Sequence, residues 1–206
     1  LAMLGPGYDL AKIKKYASVA SERAQVLGVK KIGIGSPMSR VLPEGFPNSL
    51  ATKQIKEFLL TTVNIFGEKD IYICFEALSK VYCNYINSLY EAIELVSDIN
   101  HPYLRVVLDF YNMEHEEEAE IPLEFASKYV FHAHISDDLN DDPSKRNYLK
   151  PEKEMIHRRR IRRLAELEST DTLTLEIDEE FSVAKASESL RIMKSGYQDY
   201  KSQLSS

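Results

Sequence analysis

Five apolar runs of six or seven residues recur along the chain, each separated from the next by a longer stretch. They cover residues 29–35, 70–76, 104–109, 129–135 and 172–177. Near-continuous apolar runs of this length are typical of strands buried on both faces of a parallel sheet. Between the runs, apolar residues recur at helical spacing over residues 9–27, 49–66, 88–99 and 181–193. The pattern therefore predicts an α/β protein in which parallel strands alternate with helices.

Individual residues indicate where some helices begin and end. Asp9 is a good N-cap for the first helix, and Gly28 is a suitable stop for it. Pro151 suits the first turn of a later helix. The acidic run at 114–118 is expected at the start of a helix, where negative charge is favourable, so it receives no catalytic role. The polar tail from Gly196 is expected to fray.

Four of the five runs carry, at their last or next-to-last position, a side chain that can bind a metal ion. These strand-end residues are Glu76, Asp109, His134 and Glu176, at intervals of 33, 25 and 42 positions. Such intervals leave room for one helix and two loops between strands. In a parallel barrel the strand ends converge on one mouth, so the four side chains are expected to meet there. Three carboxylates in a dry pocket need a cation, and a divalent metal is the simplest one.

Composition narrows the class of protein. The chain has 206 residues, a formal charge of −6 and 44% hydrophobic residues, which predicts one globular domain over residues 1–206. Its mild acidity argues against a dedicated nucleic-acid binder. No apolar run approaches the roughly 18 residues of a membrane span, and Leu1 to Asp9 lacks the basic region of a signal peptide. With Cys74 and Cys83 fitting a reduced interior, a cytoplasmic protein is expected.

Five arginines between residues 158 and 163 form the densest positive charge of the sequence. Phosphate binding is one interpretation of such a cluster. Acidic residues occur on the same segment, at positions 152, 154, 166 and 168. They favour the other interpretation, a solvated helix face held by ion pairs.

Several motifs occur in a fixed order around the strand ends. They are Gly35-Ser36-Pro37-Met38-Ser39-Arg40 with Pro43-Glu44-Gly45-Phe46, Glu76 with Asn84-Tyr85-Ile86-Asn87, Asp109-Phe110-Tyr111-Asn112-Met113, His132-Ala133-His134 and Leu173-Thr174-Leu175-Glu176. In this order the chain resembles the xylose-isomerase-like barrel superfamily, in particular its sugar-phosphate isomerase and epimerase group, which includes D-tagatose (D-psicose) 3-epimerases. The resemblance implies a TIM (β/α)8-type barrel of which this chain carries strands four to eight, with strands one to three expected to be missing.

The resemblance also implies an activity. It points to a divalent-metal-dependent isomerase or epimerase of a small sugar or polyol derivative, with proton transfer through a metal-stabilised enediolate. The strand-end residues are the implied metal ligands, and the two glutamates among them are the implied acid/base pair. Mn²⁺ suits three carboxylates and one imidazole, with Mg²⁺, Co²⁺ and Zn²⁺ as alternatives. Substrate contacts are implied for Arg40, Tyr82, Asn112, His132 and Asn140, and a homo-oligomer is compatible with this group.

Three of these substrate positions depart from the family pattern. Tyr82 stands where the family has Glu, Asn112 where it has His, and Asn140 where it has Arg. The substrate is therefore open, and so is catalysis itself. The alternatives are a non-catalytic or substrate-diverged relative that acts as a binding module, and a lyase similar to keto-inositol dehydratases. A phosphodiester-cleaving enzyme fits less well, because such sites use more metal ligands than this chain offers.

Overall fold

The computed structural model describes residues 1–170 and 172–205, and over these residues helices and strands alternate. The strands are β1 (Lys31–Ile34), β2 (Tyr72–Glu76), β3 (Leu104–Asp109), β4 (Val130–Ile135), β5 (Asp137–Leu139), β6 (Asp142–Asn147) and β7 (Leu173–Leu175). The helices are α1 (Leu10–Val26), α2 (Asn48–Gly67), α3 (Leu89–Ile99), α4 (Phe110–His115), α5 (Glu154–Glu166) and α6 (Val183–Leu204). No described helix combines the length and the apolar character that a membrane crossing requires.

The chain divides into two compact units, Leu1–Val107 and Leu108–Ser206, with the boundary inside β3. In the first unit, β1, β2 and β3 run parallel as hydrogen-bonded neighbours in that order. Cys74 and Phe75 are both fully buried, although successive side chains of a strand point to opposite faces. The strand is therefore covered on both sides, as its continuous apolar run predicts. The prediction of a single domain stays a prediction.

Two helices of the first unit begin at polar caps. Asp9 accepts a hydrogen bond from the Lys12 backbone N–H at the start of α1. Ser88 and Glu91 form a reciprocal capping box at the start of α3. Gly28 follows α1 with φ of +71°, a left-handed conformation that glycine adopts without a steric cost. The predicted start and end of α1 are thus confirmed.

In the second unit, the end of β3 is followed in the sheet by β4 and then β7. Strands β4 and β7 are parallel, and their register places His134 opposite Thr174. All five predicted strands are present, so the predicted α/β class of parallel strands is confirmed.

A two-stranded hairpin of β5 and β6 follows β4. The strands are antiparallel, with Asp137 opposite Asn147. The turn residues Asn140 and Asp141 have φ of +55° and +59°. Positive φ at both central residues is what a two-residue hairpin turn of type I′ requires, and Asn and Asp tolerate it.

The acidic run lies at the opposite end of its helix from the one predicted. Helix α4 begins immediately after Asp109, whose carboxylate caps it by accepting from the backbone N–H groups of Tyr111 and Asn112. The helix ends at His115, so residues 114–118 lie at its C-terminal end and the predicted placement is wrong. Glu114 instead pairs with Arg160 at 3.0 Å.

Helix α6 continues to Leu204, so the helix end predicted near residue 193 and the frayed tail are wrong. The reason lies at Gly196, where α6 meets α5. A Cβ at Gly196 would lie 2.9 Å from Ile161 Cβ and 3.0 Å from Arg158 Cα. The glycine is a point of close helix contact here and not a stop signal.

The ion pairs expected of the arginine cluster are present, although Arg160 is buried and not on a solvated face. Arg158 pairs with Asp199 at 2.6 Å, and Arg159 pairs with Glu120 at 2.7 Å. Arg162 lies 3.7 Å from Glu166. Several partners come from outside the segment that carries the arginines.

Candidate metal centre

Three of the four strand-end residues come together in the second unit. Nδ1 of His134 lies 3.2 Å from Glu176 Oε2 and 4.0 Å from Asp109 Oδ2. Asp109 ends β3, His134 belongs to β4, and Glu176 follows β7 directly. The parallel arrangement carries all three to the same end of their strands, as the sequence pattern predicts.

The carboxylate of Asp109 is held in one orientation. Its Oδ1 accepts from the backbone N–H groups of Tyr111 at 2.8 Å and Asn112 at 3.4 Å. Its Oδ2 accepts from Asn112 Nδ2 at 2.9 Å. The side chain of Asp109 is 1% exposed, so this buried charge depends on these donors and on a cation.

Arg146 supplies a positive charge beside the cluster. Its Nη2 donates to Asp109 Oδ2 at 2.6 Å, and its Nη1 lies 3.3 Å from Glu176 Oε2. The same Nη1 donates to Ser136 Oγ at 3.0 Å. The guanidinium also stacks over the ring of Tyr111, 4.8 Å from its centroid. Its contacts therefore join two of the three ligand-type side chains.

The surroundings of Glu176 lower the pKa of its carboxyl group. The hydrogen bond from His134 lowers the pKa of Glu176, and the positive charge of Arg146 lowers it further, whereas burial opposes both. Glu176 is therefore an ionised carboxylate at neutral pH.

The donor set of the second unit fits a divalent metal. Metal–oxygen and metal–nitrogen bonds of about 2.0–2.2 Å place neighbouring ligand atoms about 3 Å apart. The separation of 3.2 Å between His134 Nδ1 and Glu176 Oε2 is of this size, and the 4.0 Å to Asp109 Oδ2 is about one ångström longer. Two carboxylates and an imidazole are ordinary ligands for Mn²⁺, Mg²⁺ or Zn²⁺. The set does not select one of these metals.

Glu76 and two further predicted residues lie in the first unit. Glu76 ends β2 and is buried, and a Cβ on Gly35 would lie 2.6 Å from its Oε2. The guanidinium of Arg40 is fully buried over the ring of Phe75, and this burial lowers the pKa of Arg40. Tyr82 lies in the loop after β2, where its backbone N–H donates to Ser79.

The remaining predicted substrate residues lie in the second unit and have contacts within it. His132 places Nδ1 2.8 Å from Thr172 Oγ1 and Nε2 3.1 Å from Thr174 Oγ1, and its ring meets His134 edge-on at 4.9 Å. Asn112 donates its side-chain N–H to Asp109. Asn140 is exposed in the turn of the hairpin. The substrate roles of all five residues stay predictions.

Two features of the second unit are absent from the sequence prediction. One is the position of Arg146, twelve residues after His134, which depends on the hairpin. The other is a buried pair in which His157 Nε2 lies 2.8 Å from Asp137 Oδ2, with Lys153 Nζ 3.1 Å from the other oxygen. This pair fastens the hairpin to α5. The only sequence signal for either feature is an unusual density of charged residues.

The chain is similar to a known protein family and to several solved structures. A family model described as a xylose isomerase-like TIM barrel matches residues 9–195. The D-psicose 3-epimerase of Clostridium cellulolyticum H10, solved with D-tagatose, shares 16% identity, with 97% of this chain and 73% of that one covered at a TM-score of 0.67. A D-allulose 3-epimerase from Methylomonas sp., solved with D-allulose, shares 18% identity, with coverage of 96% and 72% and a TM-score of 0.70. An IolI protein with a bound zinc atom shares 18% identity, with coverage of 92% and 69% and a TM-score of 0.63. Proteins of curated function give no match.

At these identities the solved structures establish a shared fold, while the family model spans most of the chain. The predicted fold, a partial TIM-type barrel of parallel strands, is therefore confirmed. The chain belongs to the xylose isomerase-like TIM barrel family.

Proposed function

We propose that this chain is a divalent-metal-dependent isomerase or epimerase of a small sugar or polyol derivative. The observation that carries the proposal is the cluster of Asp109, His134 and Glu176 at three strand ends, in which His134 Nδ1 lies 4.0 Å from Asp109 Oδ2 and 3.2 Å from Glu176 Oε2. Family membership and a fold shared with sugar epimerases support it.

Asp109, His134 and Glu176 would hold the ion, and Glu76 is the proposed fourth ligand because it ends β2 in the same sequence pattern. Three carboxylates and one imidazole favour Mn²⁺, with Mg²⁺, Co²⁺ and Zn²⁺ as alternatives. When bound, a divalent ion supplies positive charge that polarises a substrate carbonyl and offsets the charge of the carboxylates.

The two glutamates are the proposed proton-transfer groups. Isomerisation or epimerisation beside a carbonyl needs one group that removes a carbon-bound proton and one that returns a proton. Glu176 is the proposed base that removes the proton. Glu76 is the proposed partner that returns a proton on the other face of the substrate.

Arg146 favours a second candidate function, a binding module that works without a metal. Its guanidinium already pairs with Asp109 and approaches Glu176. A buried cation of this kind can neutralise the two carboxylates without any metal ion. A module of this kind would bind a polyol without exchanging its protons.

One experiment separates these functions. The purified protein is analysed for bound metals and then incubated in D2O with a panel of ketohexoses and keto-inositols, and deuterium incorporation at carbon is followed by NMR. Metal-dependent incorporation supports the isomerase or epimerase, and a product that has lost water indicates a lyase. Glu176→Gln should abolish incorporation, whereas Glu180→Gln, a nearby exposed carboxylate, should not. Binding of a polyol with no exchange and no metal would support the binding module instead.

A further inference from the structure

The carboxylate of Asp109 has no spare acceptor position for a metal ion. A carboxylate offers about four lone-pair positions, and Asp109 accepts from four donors in the second unit: two backbone N–H groups, Asn112 Nδ2 and Arg146 Nη2. Three of the four belong to the first turn of α4, which Asp109 itself caps. Of these four donors, only the Arg146 guanidinium belongs to another element, β6.

The Arg146 backbone is fixed while its side chain is long and flexible. Its backbone N–H donates to Asp178 Oδ2 at 2.7 Å, and its carbonyl accepts from the Asp178 N–H at 2.9 Å. Tyr111 fastens the same strand by donating its hydroxyl toward the carbonyls of Pro143 and Lys145. A change at Arg146 therefore involves the guanidinium and not the hairpin.

A metal ion and the guanidinium would compete for the same oxygens. Both are cations, so they repel each other strongly in a pocket where Asp109 is 1% exposed and Arg146 is 7% exposed. The metal ion and the guanidinium would also compete for Glu176, because Arg146 Nη1 lies 3.3 Å from its Oε2.

We propose that Arg146 is a built-in competitor of the metal ion. Its guanidinium neutralises Asp109 and Glu176 in the metal-free protein, and metal binding displaces it from Asp109. The displaced side chain then presents its N–H donors beside the site, where substrate oxygens can accept them. The inference rests on the metal site of the proposed function, and it adds that this site is closed by an internal cation until the metal arrives.

The first test is calorimetric titration of Mn²⁺ and Zn²⁺ into the wild-type chain and two variants. Arg146→Gln removes the competing charge, so it should bind each metal about tenfold tighter or more, the size expected for loss of a charge-assisted hydrogen bond. Arg158→Gln is the matched control, because it removes an arginine that pairs with Asp199 on α6, and it should bind like the wild type. Arg146→Lys keeps the positive charge but lacks the bidentate guanidinium. Its metal affinity should therefore lie between those of the wild type and Arg146→Gln.

The second test follows the side chain in the unmodified protein, and it decides the question if Arg146→Gln does not fold. Phenylglyoxal labelling is mapped by mass spectrometry in EDTA and in Mn²⁺. Arg146 should be protected in EDTA and labelled faster in Mn²⁺. Arg160, which is 4% exposed and pairs with Glu114, is the internal reference and should stay protected in both.

The outcomes distinguish this inference from the proposed function. Equal or weaker metal binding by Arg146→Gln, or unchanged labelling of Arg146 in Mn²⁺, would overturn the inference and leave the metal-dependent activity standing. Absence of metal binding in every variant would overturn both. Tighter binding by Arg146→Gln without proton exchange on any substrate would support the inference and count against the proposed activity.

Discussion

Asn112 donates a hydrogen bond from Nδ2 to Asp109 Oδ2 across 2.9 Å, so this residue orients a candidate metal ligand. Loss of a hydrogen bond that orients a ligand typically weakens metal affinity by about 10–100-fold. We therefore expect Asn112→Ala to weaken Mn²⁺ binding by that factor in calorimetry. Asn147→Ala is the control, since the Asn147 side chain accepts from the adjacent Tyr148 N–H and not from Asp109 in the described part of the chain, and it should bind normally. An unchanged Mn²⁺ affinity in Asn112→Ala would show that Asp109 can bind the metal without this hydrogen bond.

Gly35 and Gly33 give a matched pair for testing Glu76. A Cβ at Gly35 would lie 2.6 Å from Glu76 Oε2, whereas a Cβ at Gly33 would meet Val107 at an ordinary 3.7 Å. Because the carboxylate is the flexible end of its side chain, Gly35→Ala should displace Glu76 with little loss of stability. If Glu76 is the fourth ligand, Gly35→Ala weakens metal binding and Gly33→Ala does not. Equal metal affinities in the two variants would show that Glu76 is not a metal ligand.

The pair of Asp137 and His157 should carry much of the stability of the second unit. Both side chains are 0% exposed, and their atoms are 2.8 Å apart. Losing a buried hydrogen bond to a charged group costs about 1.5–3 kcal/mol, so His157→Ala should lower the free energy of unfolding by about that amount. Arg159→Gln breaks a pair with Glu120 whose side chains are 50% and 57% exposed, and it should cost less than about 1 kcal/mol. Urea denaturation of both variants measures the difference.

Asp138 should make stability depend on acid pH. The hydrogen bond from Lys150 lowers the pKa of Asp138 to about 2, against an ordinary value of 3.8. A group with a lowered folded-state pKa contributes its full stability above the unfolded value and loses it as the pH falls through the folded value. The free energy of unfolding should therefore drop between about pH 4 and pH 2. Asp138→Asn should flatten that drop in a urea series.

Asp141→Asn is the control for the pH experiment, because it removes a charge at the tip of the same hairpin from a side chain that is 97% exposed. It should keep the wild-type slope between pH 4 and pH 2. If the free energy of unfolding of Asp138→Asn falls with pH as steeply as that of the wild type, other carboxylates control the acid dependence.

The sequence alone determined the five strands and the three metal-type side chains that come together in the second unit. Buried parallel strands leave continuous apolar runs, and the same end of each such strand faces one edge of the sheet. Asp109, His134 and Glu176 each follow or end such a run, so their convergence requires only the strand pattern. Helix α1 was equally predictable, because Asp9 and Gly28 signal its ends through the local backbone.

Only the tertiary structure decided which polar groups meet. Arg146 reaches Asp109 because a hairpin turns at Asn140 and Asp141. Residues 137–147 show no alternation of apolar and polar positions that would predict the two strands of this hairpin. Gly196 likewise permits close packing of α6 on α5, although a glycine at that point in the sequence indicates a helix end. Apolar periodicity is a local property that the chain displays residue by residue. Hydrogen bonds between distant polar side chains depend instead on distances that exist only after the elements have packed.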